Sequence, residues 1–386
     1  MIPYGRQSIS EEDIQAVVDV LRSDFLTQGP VVPQFEEAIC DYTNSAYAVA
    51  VNSGTSALHL ACRALDLGPG DILWTSPITF VASANCALYC GAEVDFVDID
   101  PKTYNISINA LARKLEWAEG VGRLPKVVVP VHLCGLPCDM EAIADLAKKY
   151  GFYVIEDACH AFGSRYQDEV VGNCHFSDIT VFSFHPLKSI TTGEGGVATT
   201  NKKKIADKMT LLRSHGITRD AEKMTQEPDG PWYYQQIDLG YNYRLTDMQA
   251  ALGITQLARL DDFVLKRRAI ARRYDQQLAG LPTYPQYRPD THYSAMHLYV
   301  LRLDFDCLGK THLQIIQELN RKRVGVNVHY IPVHTQPWYK QMGFNDGDYP
   351  EAESYYAEAI SLPIFPDLSE KEQDYVIHSL KMAIFN

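Results

Sequence analysis

Between Ala46 and Thr200, short runs rich in β-branched and aromatic residues alternate with stretches long enough for a helix. The runs are AYAVAVN, DILWTS, EVDFVDID, KVVVPVHL, FYVIED, DITVFSF and GVATT. This alternation predicts an α/β fold, with a mostly parallel seven-stranded sheet and helices on both faces. In such sheets ligands gather at the carboxyl ends of the strands, so the chemistry is sought just past each run.

The flanks complete the outline. Ser8 to Leu21 reads as a helix opened by a capping box of Ser10 and Asp13, with Ile14, Val17, Val18 and Leu21 on one face. A Gly29-Pro30 loop leads to a second amphipathic helix over Val32 to Tyr42. After residue 250 the stretch ALGITQLARLDDFVLKRRAIARRYDQQL predicts one long amphipathic helix, its basic cluster (Lys266 to Arg268, Arg272, Arg273) read as a solvated face. That helix bridges to a smaller C-terminal α/β domain. There HLYVLRLDF (297–305) and VGVNVHYIPV (324–333) read as strands around a helix near THLQIIQELNRKR, and ISLPIFPDLS precedes a last helix. The expected division is a large domain over 1–250 and a small one over 251–386.

Charge and composition narrow the function. A net charge of -13 argues against a nucleic-acid partner, which needs a basic face. Any anionic ligand has to be met by local donors such as a helix N-terminus. The opening MIPYGRQSISEEDIQ lacks the basic and apolar regions of a signal peptide, and no apolar run approaches a membrane span. A cytoplasmic protein without membrane contact is expected. The nine cysteines form no C-x-x-C pair and read as reduced core thiols. His132, Cys134 and Cys138 are the nearest approach to a metal cluster, but no second ligand pair stands at zinc spacing, so no metal is expected.

Four strand ends carry candidate chemistry. Asn52-Ser53-Gly54-Thr55-Ser56 before ALHLACRAL combines a tight turn, small hydroxyls and a helix start, which suits an anion; an ordinary N-cap has the same composition. Phe80, after DILWTS, can stack on a planar ring or belong to the core. Asp157, in the pair Glu156-Asp157, is either half of a structural ion pair or a carboxylate set against a cofactor's ring nitrogen, with His160 one helical step beyond. Lys188 follows DITVFSFHPL in a loop rich in Thr and Gly, where a lone lysine is either a solvated charge or an amine held at a site. Neither G-x-x-x-x-G-K-[ST] nor a strand-linked G-x-G-x-x-G is present, which disfavours nucleotide hydrolysis and dinucleotide redox chemistry.

Taken in order, SGTSALHLA, TSPITFVASAN, EDACHAFGS, FSFHPLKSITTGEGG and GYNYRLTDMQAALG resemble the DegT/DnrJ/EryC1/StrS family of sugar aminotransferases. The resemblance runs over nearly the whole chain and implies a fold type I enzyme that uses pyridoxal 5′-phosphate. By matching position it implies that Lys188 is the cofactor-bonding lysine and Asp157 the partner of the ring nitrogen. Phe80 would stack on the ring, Gly54, Thr55, Ser56 and Ser183 would bind the phosphate, and His160 would lie beside the ring. Asn242 would reach a neighbour's phosphate across a homodimer with shared sites. Members with histidine at the lysine position are dehydratases, so Lys188 favours transamination. FSFHPLKSITTGEGG, RSHG (213–216) and VHYIPVH (328–334) most closely resemble the branch serving pseudaminic acid synthesis. That branch moves an amino group from L-glutamate, leaving 2-oxoglutarate, to C4 of a UDP-linked 4-keto-6-deoxy-N-acetylhexosamine. Another keto sugar such as UDP-4-keto-arabinose, a keto inositol, or a non-catalytic cofactor-binding regulator are the other readings. His329 and Tyr330 are expected to contact substrate. The chain departs from the family between Ile217 and Leu239, where Trp232, Tyr233 and Tyr234 either cover a neighbour's sugar nucleotide or pack between subunits.

Overall fold

The structure, a computed structural model, describes residues 1–385. Helix α1 (Glu11–Leu21) opens with the expected capping box, in which Ser10 and Asp13 bond each other's backbone N–H. Such a cap contributes about 1 kcal/mol. Helix α2 (Val31–Thr43) follows. The seven runs become β1 (Tyr47–Val51), β2 (Ile72–Thr75), β3 (Glu93–Phe96), β4 (Val127–Val129), β5 (Tyr153–Asp157), β8 (Ile179–Ser183) and β9 (Gly196–Thr200). A short hairpin, β6 (Arg165–Tyr166) and β7 (Glu169–Val170), intervenes, and β13 (His292–Tyr293) pairs with β6. Between the strands run α3 (Gly54–Ala64), α4 (Ala82–Tyr89), α5 (Ile108–Val121), α6 (Met140–Tyr150) and α7 (Lys203–Arg213).

All seven runs form one sheet in the order β1-β9-β8-β5-β4-β2-β3. The pairs from β8 to β3 are parallel, and β9 runs antiparallel to both neighbours. Burial on both faces explains why central strands such as β2, β4 and β8 read as near-continuous apolar runs. Val127 and Val129 pack with Leu58, Ala87 and Phe96 on one face, while Val128 packs with Trp74, Leu115 and Ile143 on the other. The period of two sends adjacent side chains into opposite cores. A separate apolar core encloses Leu301, Leu319, Val324, Ile360, Val376 and Leu380 against the sheet β12 (Thr283–Pro285), β14 (Tyr299–Leu303) and β15 (Ala359–Leu362).

The expected single long helix is two, α8 (Asp247–Leu257) and α9 (Leu260–Gln277). The break falls at Ala258-Arg259 because Arg259 turns back to pair with Asp13 and lies over the Phe263 ring. Residue 250 lies inside α8, which packs on α1 and α2. Helix α9 spans both cores. Phe263 and Val264 sit with the large sheet, Ile270, Tyr274 and Leu278 with the small one. Its basic cluster is not uniformly solvated: Arg267 is 2 % exposed and donates to the carbonyls of His297 and Ile364 at 3.2 and 2.9 Å. Arg268 lies 3.7 Å over the Tyr293 ring.

The segment 324–333 is not a strand. Among the described residues its β-type pairing is limited to bridges of Val324 to Ile2 and of Asn327 to Ser361, and the peptide bond His329-Tyr330 is cis. A further pair, β10 (Ile217–Thr218) and β11 (Gln235–Gln236), closes the divergent segment, whose tip leaves Trp232 and Tyr234 exposed. The cysteines are free thiols; six are buried, Cys40 and Cys159 are partly covered, and Cys307 is exposed rather than in a core. Among the described residues no helix is long and apolar enough to cross a membrane.

Candidate active site

The carboxyl ends of β1, β5 and β8 open onto a cavity of about 410 Å³. Beyond β8, Thr191 Oγ1 and the Thr192 N–H both bond the Phe184 carbonyl, and the Lys188 N–H bonds the His185 carbonyl at 2.8 Å. These bonds hold the Thr- and Gly-rich loop and bring Lys188 to the cavity wall. Among the described residues its Nζ has no hydrogen-bond or ion-pair partner. Burial lowers its pKa, opposed by Cys159 and the Asp157 charge, so a larger share is neutral amine than in water.

The adjacent acids at the end of β5 go to opposite faces of the sheet. Glu156 accepts from Ser177 at 2.5 Å and Thr180 at 2.9 Å and lies 2.7 Å from His132 Nε2. Burial works against its charge, but the His132, Ser177 and Thr180 bonds outweigh this and hold it below the ordinary carboxylate range. Asp157, 6 % exposed, faces the cavity. It accepts from Ser83 Oγ at 2.5 Å and from the Cys159 N–H at 3.1 Å, and among the described residues it forms no ion pair with an arginine. His132 Nδ1 takes the Cys138 N–H at 3.0 Å, so both its nitrogens are engaged within the protein.

The first turn of α3 supplies an anion cradle. Ser53 caps it by accepting the Ser56 N–H at 3.1 Å, while Gly54 and Thr55 line the cavity at the positive end of the helix dipole. A Cβ on Gly54 would stand 2.9 Å from Ser183 Cβ, so glycine lets Ser183 close on this turn. Ser56 is buried off the cavity wall and donates to Asn52 Oδ1 at 2.7 Å.

Phe80, 58 % exposed, lies on the wall at the start of α4, its ring 6.3 Å from that of Tyr330. His160, His329 and Tyr330 complete this side. Burial lowers the pKa of His160 well below the usual imidazole value, helped by Lys188 and His329, and carries His329 down to about 4. Tyr330 Oη stands 3.0 Å from His160 Nε2.

The structure thus brings together Gly54, Thr55, Phe80, Asp157, His160, Ser183, Lys188, His329 and Tyr330. It leaves Trp232 and Asn242 outside the cavity of their own chain; the Asn242 carbonyl accepts from Asn52 Nδ2 at 3.4 Å. Thr79, Cys159, Glu194 and His297 also line the wall without having been singled out from sequence, as does Ser53, which the sequence placed in the anion turn without assigning it a ligand. Ser53 was within reach, being the cap of the same turn; His297 comes from a distant segment and carries no local signal. An amine, a carboxylate, an unburied aromatic face and a glycine-dependent anion cradle are a donor set that fits a phosphorylated aromatic aldehyde.

Known proteins share this fold over nearly the full length of the chain. The profile of the DegT/DnrJ/EryC1/StrS aminotransferase family matches residues 7–381. The Bacillus subtilis spore coat polysaccharide biosynthesis protein SpsC is 42% identical over 385 residues, spanning 98% of this chain and 96% of its own. Helicobacter pylori PseC, an aminotransferase involved in the biosynthesis of pseudaminic acid, superposes with a TM-score of 0.91 at 32% identity over 99% of both chains. The putative sugar aminotransferase Spr1654 of Streptococcus pneumoniae, in its PMP form, gives 0.89 at 32% identity, also over 99% of both. The chain belongs to the DegT/DnrJ/EryC1/StrS aminotransferases, a family of enzymes dependent on pyridoxal 5′-phosphate.

Proposed function

We propose that this sugar aminotransferase moves the amino group of L-glutamate to C4 of a UDP-linked 4-keto-6-deoxy-N-acetylhexosamine, leaving 2-oxoglutarate, in pseudaminic acid synthesis. The observation that carries the site assignment is the shared cavity of Lys188 and Asp157: among the described residues the amine has no hydrogen-bond or ion-pair partner and the carboxylate has no arginine to neutralise it. The sugar assignment draws on the likeness to PseC across 99% of both chains.

Pyridoxal 5′-phosphate, when bound, supplies an electron sink for the bonds at the amino-bearing carbon. The protein's part is binding and proton handling. Gly54 and the hydroxyls of Thr55, Ser56 and Ser183 hold the phosphate at the start of α3, Ser56 acting through the cap. Asn242 of a second copy adds to that site in a homodimer, and Trp232 of the same segment approaches the sugar nucleotide. Phe80 covers the ring face, and His160 lies beside it. Asp157, fixed by Ser83 and the Cys159 N–H, favours a proton on the ring nitrogen. Lys188 Nζ takes the proton from the amino-bearing carbon and returns it one position away, a role its lowered pKa suits. His329 and Tyr330 meet the sugar.

A second reading has its own support. SpsC, at 42% identity, serves spore coat polysaccharide, which favours a keto sugar of different configuration at the same site. The test is to reconstitute the protein with pyridoxal 5′-phosphate and bleach its visible band with glutamate. A panel of nucleotide-linked keto sugars is then offered to the amino form. Return of the band with the 4-keto-6-deoxy-N-acetylhexosamine alone supports the first reading, and return with another keto sugar supports the second. A band that glutamate leaves unchanged would point to a cofactor-binding regulator. Lys188→Ala should cost about 10²–10⁴-fold or more in turnover.

A further inference from the structure

We propose that Tyr330 is a hydrogen-bond donor into the cavity, its polarity set by a one-way chain running from the Cys134 backbone N–H through the His160 ring. The Cys134 N–H donates to His160 Nδ1 at 3.3 Å, so that nitrogen carries no hydrogen. A neutral imidazole then has its single hydrogen on Nε2. Burial, with Lys188 and His329 nearby, keeps His160 neutral at physiological pH. Nε2–H therefore donates across 3.0 Å to Tyr330 Oη, which accepts. The phenol keeps its own hydrogen, since burial and the Asp157 charge raise its pKa. That hydrogen has no acceptor among the described residues and is free for a ligand in the cavity Tyr330 lines.

The chain is built into the fold. Cys134 and Gly135 hold left-handed backbone angles, with φ of 62° and 92°. A Cβ on Gly135 would lie 2.8 Å from the His160 carbonyl oxygen, so this turn reaches His160 only through glycine. The His297 ring backs His160 at a centroid distance of 4.4 Å, and the His297 carbonyl is held by the buried Arg267. His160 is thus fixed from behind as well as from both nitrogens.

A fixed donor selects an oxygen that accepts without donating. The phenolate oxygen of the cofactor ring and the carbonyl of the keto sugar share that chemistry, and this identification of the acceptor rests on the function proposed above. The test uses the reconstituted enzyme and its Tyr330→Phe variant, which keeps the ring and removes one oxygen. If the acceptor is the ring oxygen, the apparent pKa of the visible band rises by about one unit. If it is the sugar carbonyl, the keto-sugar half-reaction slows by about 10–100-fold while the glutamate half-reaction keeps its rate. No change in either overturns the proposal. The His160 tautomer is read separately from the ring ¹⁵N shifts of labelled protein, assigned with His160→Asn. Hydrogen on Nε2 is expected, and hydrogen on Nδ1 overturns the polarity. Failure to form a visible band would sink the functional reading instead, and the tautomer measurement would still decide this inference.

Discussion

Ser83→Ala tests whether the orientation of Asp157 matters to the reaction. Ser83 is fully buried in α4, and its Oγ bonds Asp157 Oδ2 at 2.5 Å and Thr79 Oγ1 at 2.7 Å. Among the described residues Cys159 also bonds Asp157, through its N–H, 3.1 Å from Oδ1, and through its thiol. Removing the hydroxyl takes its hydrogen bond from Oδ2 in a site where the residue is 6 % exposed. A hydrogen bond to a charged group contributes about 1.5–3 kcal/mol, so stability should fall by roughly 2 kcal/mol. If half or more of that loss appears in the barrier, the glutamate half-reaction slows by about 5-fold or more. Urea unfolding reads the first effect, and stopped-flow bleaching of the visible band reads the second. Thr75→Val is the control, since Thr75 Oγ1 donates to the Val129 carbonyl at 2.8 Å in the core of the sheet. It should lose about 1 kcal/mol and keep its rate. A Ser83→Ala enzyme that is less stable yet reacts at the wild-type rate would refute the reasoning.

Gly54→Ala puts a methyl 2.9 Å from Ser183 Cβ, and overpacking there should cost about 1–3 kcal/mol and weaken cofactor retention in a dialysis assay. Burial carries the His329 pKa from 6.5 down to about 4, so as pH falls the unfolded chain binds this proton first. Stability is therefore lost between those two values, by about 3 kcal/mol from this group; the urea midpoint of His329→Asn should fall less steeply than that of the wild type. Arg267→Ala leaves two carbonyls unpaired and should destabilise by about 2–4 kcal/mol. Arg272→Ala, on the exposed side of the same helix, should stay within about 0.5 kcal/mol, both read by urea unfolding.

The large sheet was legible because its information is local. Most of the β-branched runs are buried on both faces, the edge strand β3 with its exposed Glu93 excepted, and turns carry their own punctuation, as at Ser53-Gly54 and Pro77. The capping box of Ser10 and Asp13 is equally local. Tertiary contacts hid the rest. VGVNVHYIPV alternates like a strand, yet its partners are Ile2 and Ser361, and Tyr330 is drawn toward His160. The break before α9 depends on Asp13, far away in the chain, although Asp261 and Asp262 in its first turn are a helix-start signature. Arg267 resembles its basic neighbours in sequence, and only the position of the His297 and Ile364 carbonyls takes it out of solvent. At the site, Lys188 and Asp157 could be placed at strand ends and the two adjacent acids on opposite faces of the sheet, whereas which of them pairs with a histidine required knowing where His132 stands.

The central claim is that one amine, Lys188, holds the cofactor in the cavity at the end of β8. Borohydride reduction of the reconstituted protein, followed by digestion and mass spectrometry, reads this directly. The account predicts a single pyridoxyl group on the peptide containing Lys188, absent when glutamate is added before reduction. A label spread over surface lysines, or fixed on a lysine outside the cavity, would contradict it.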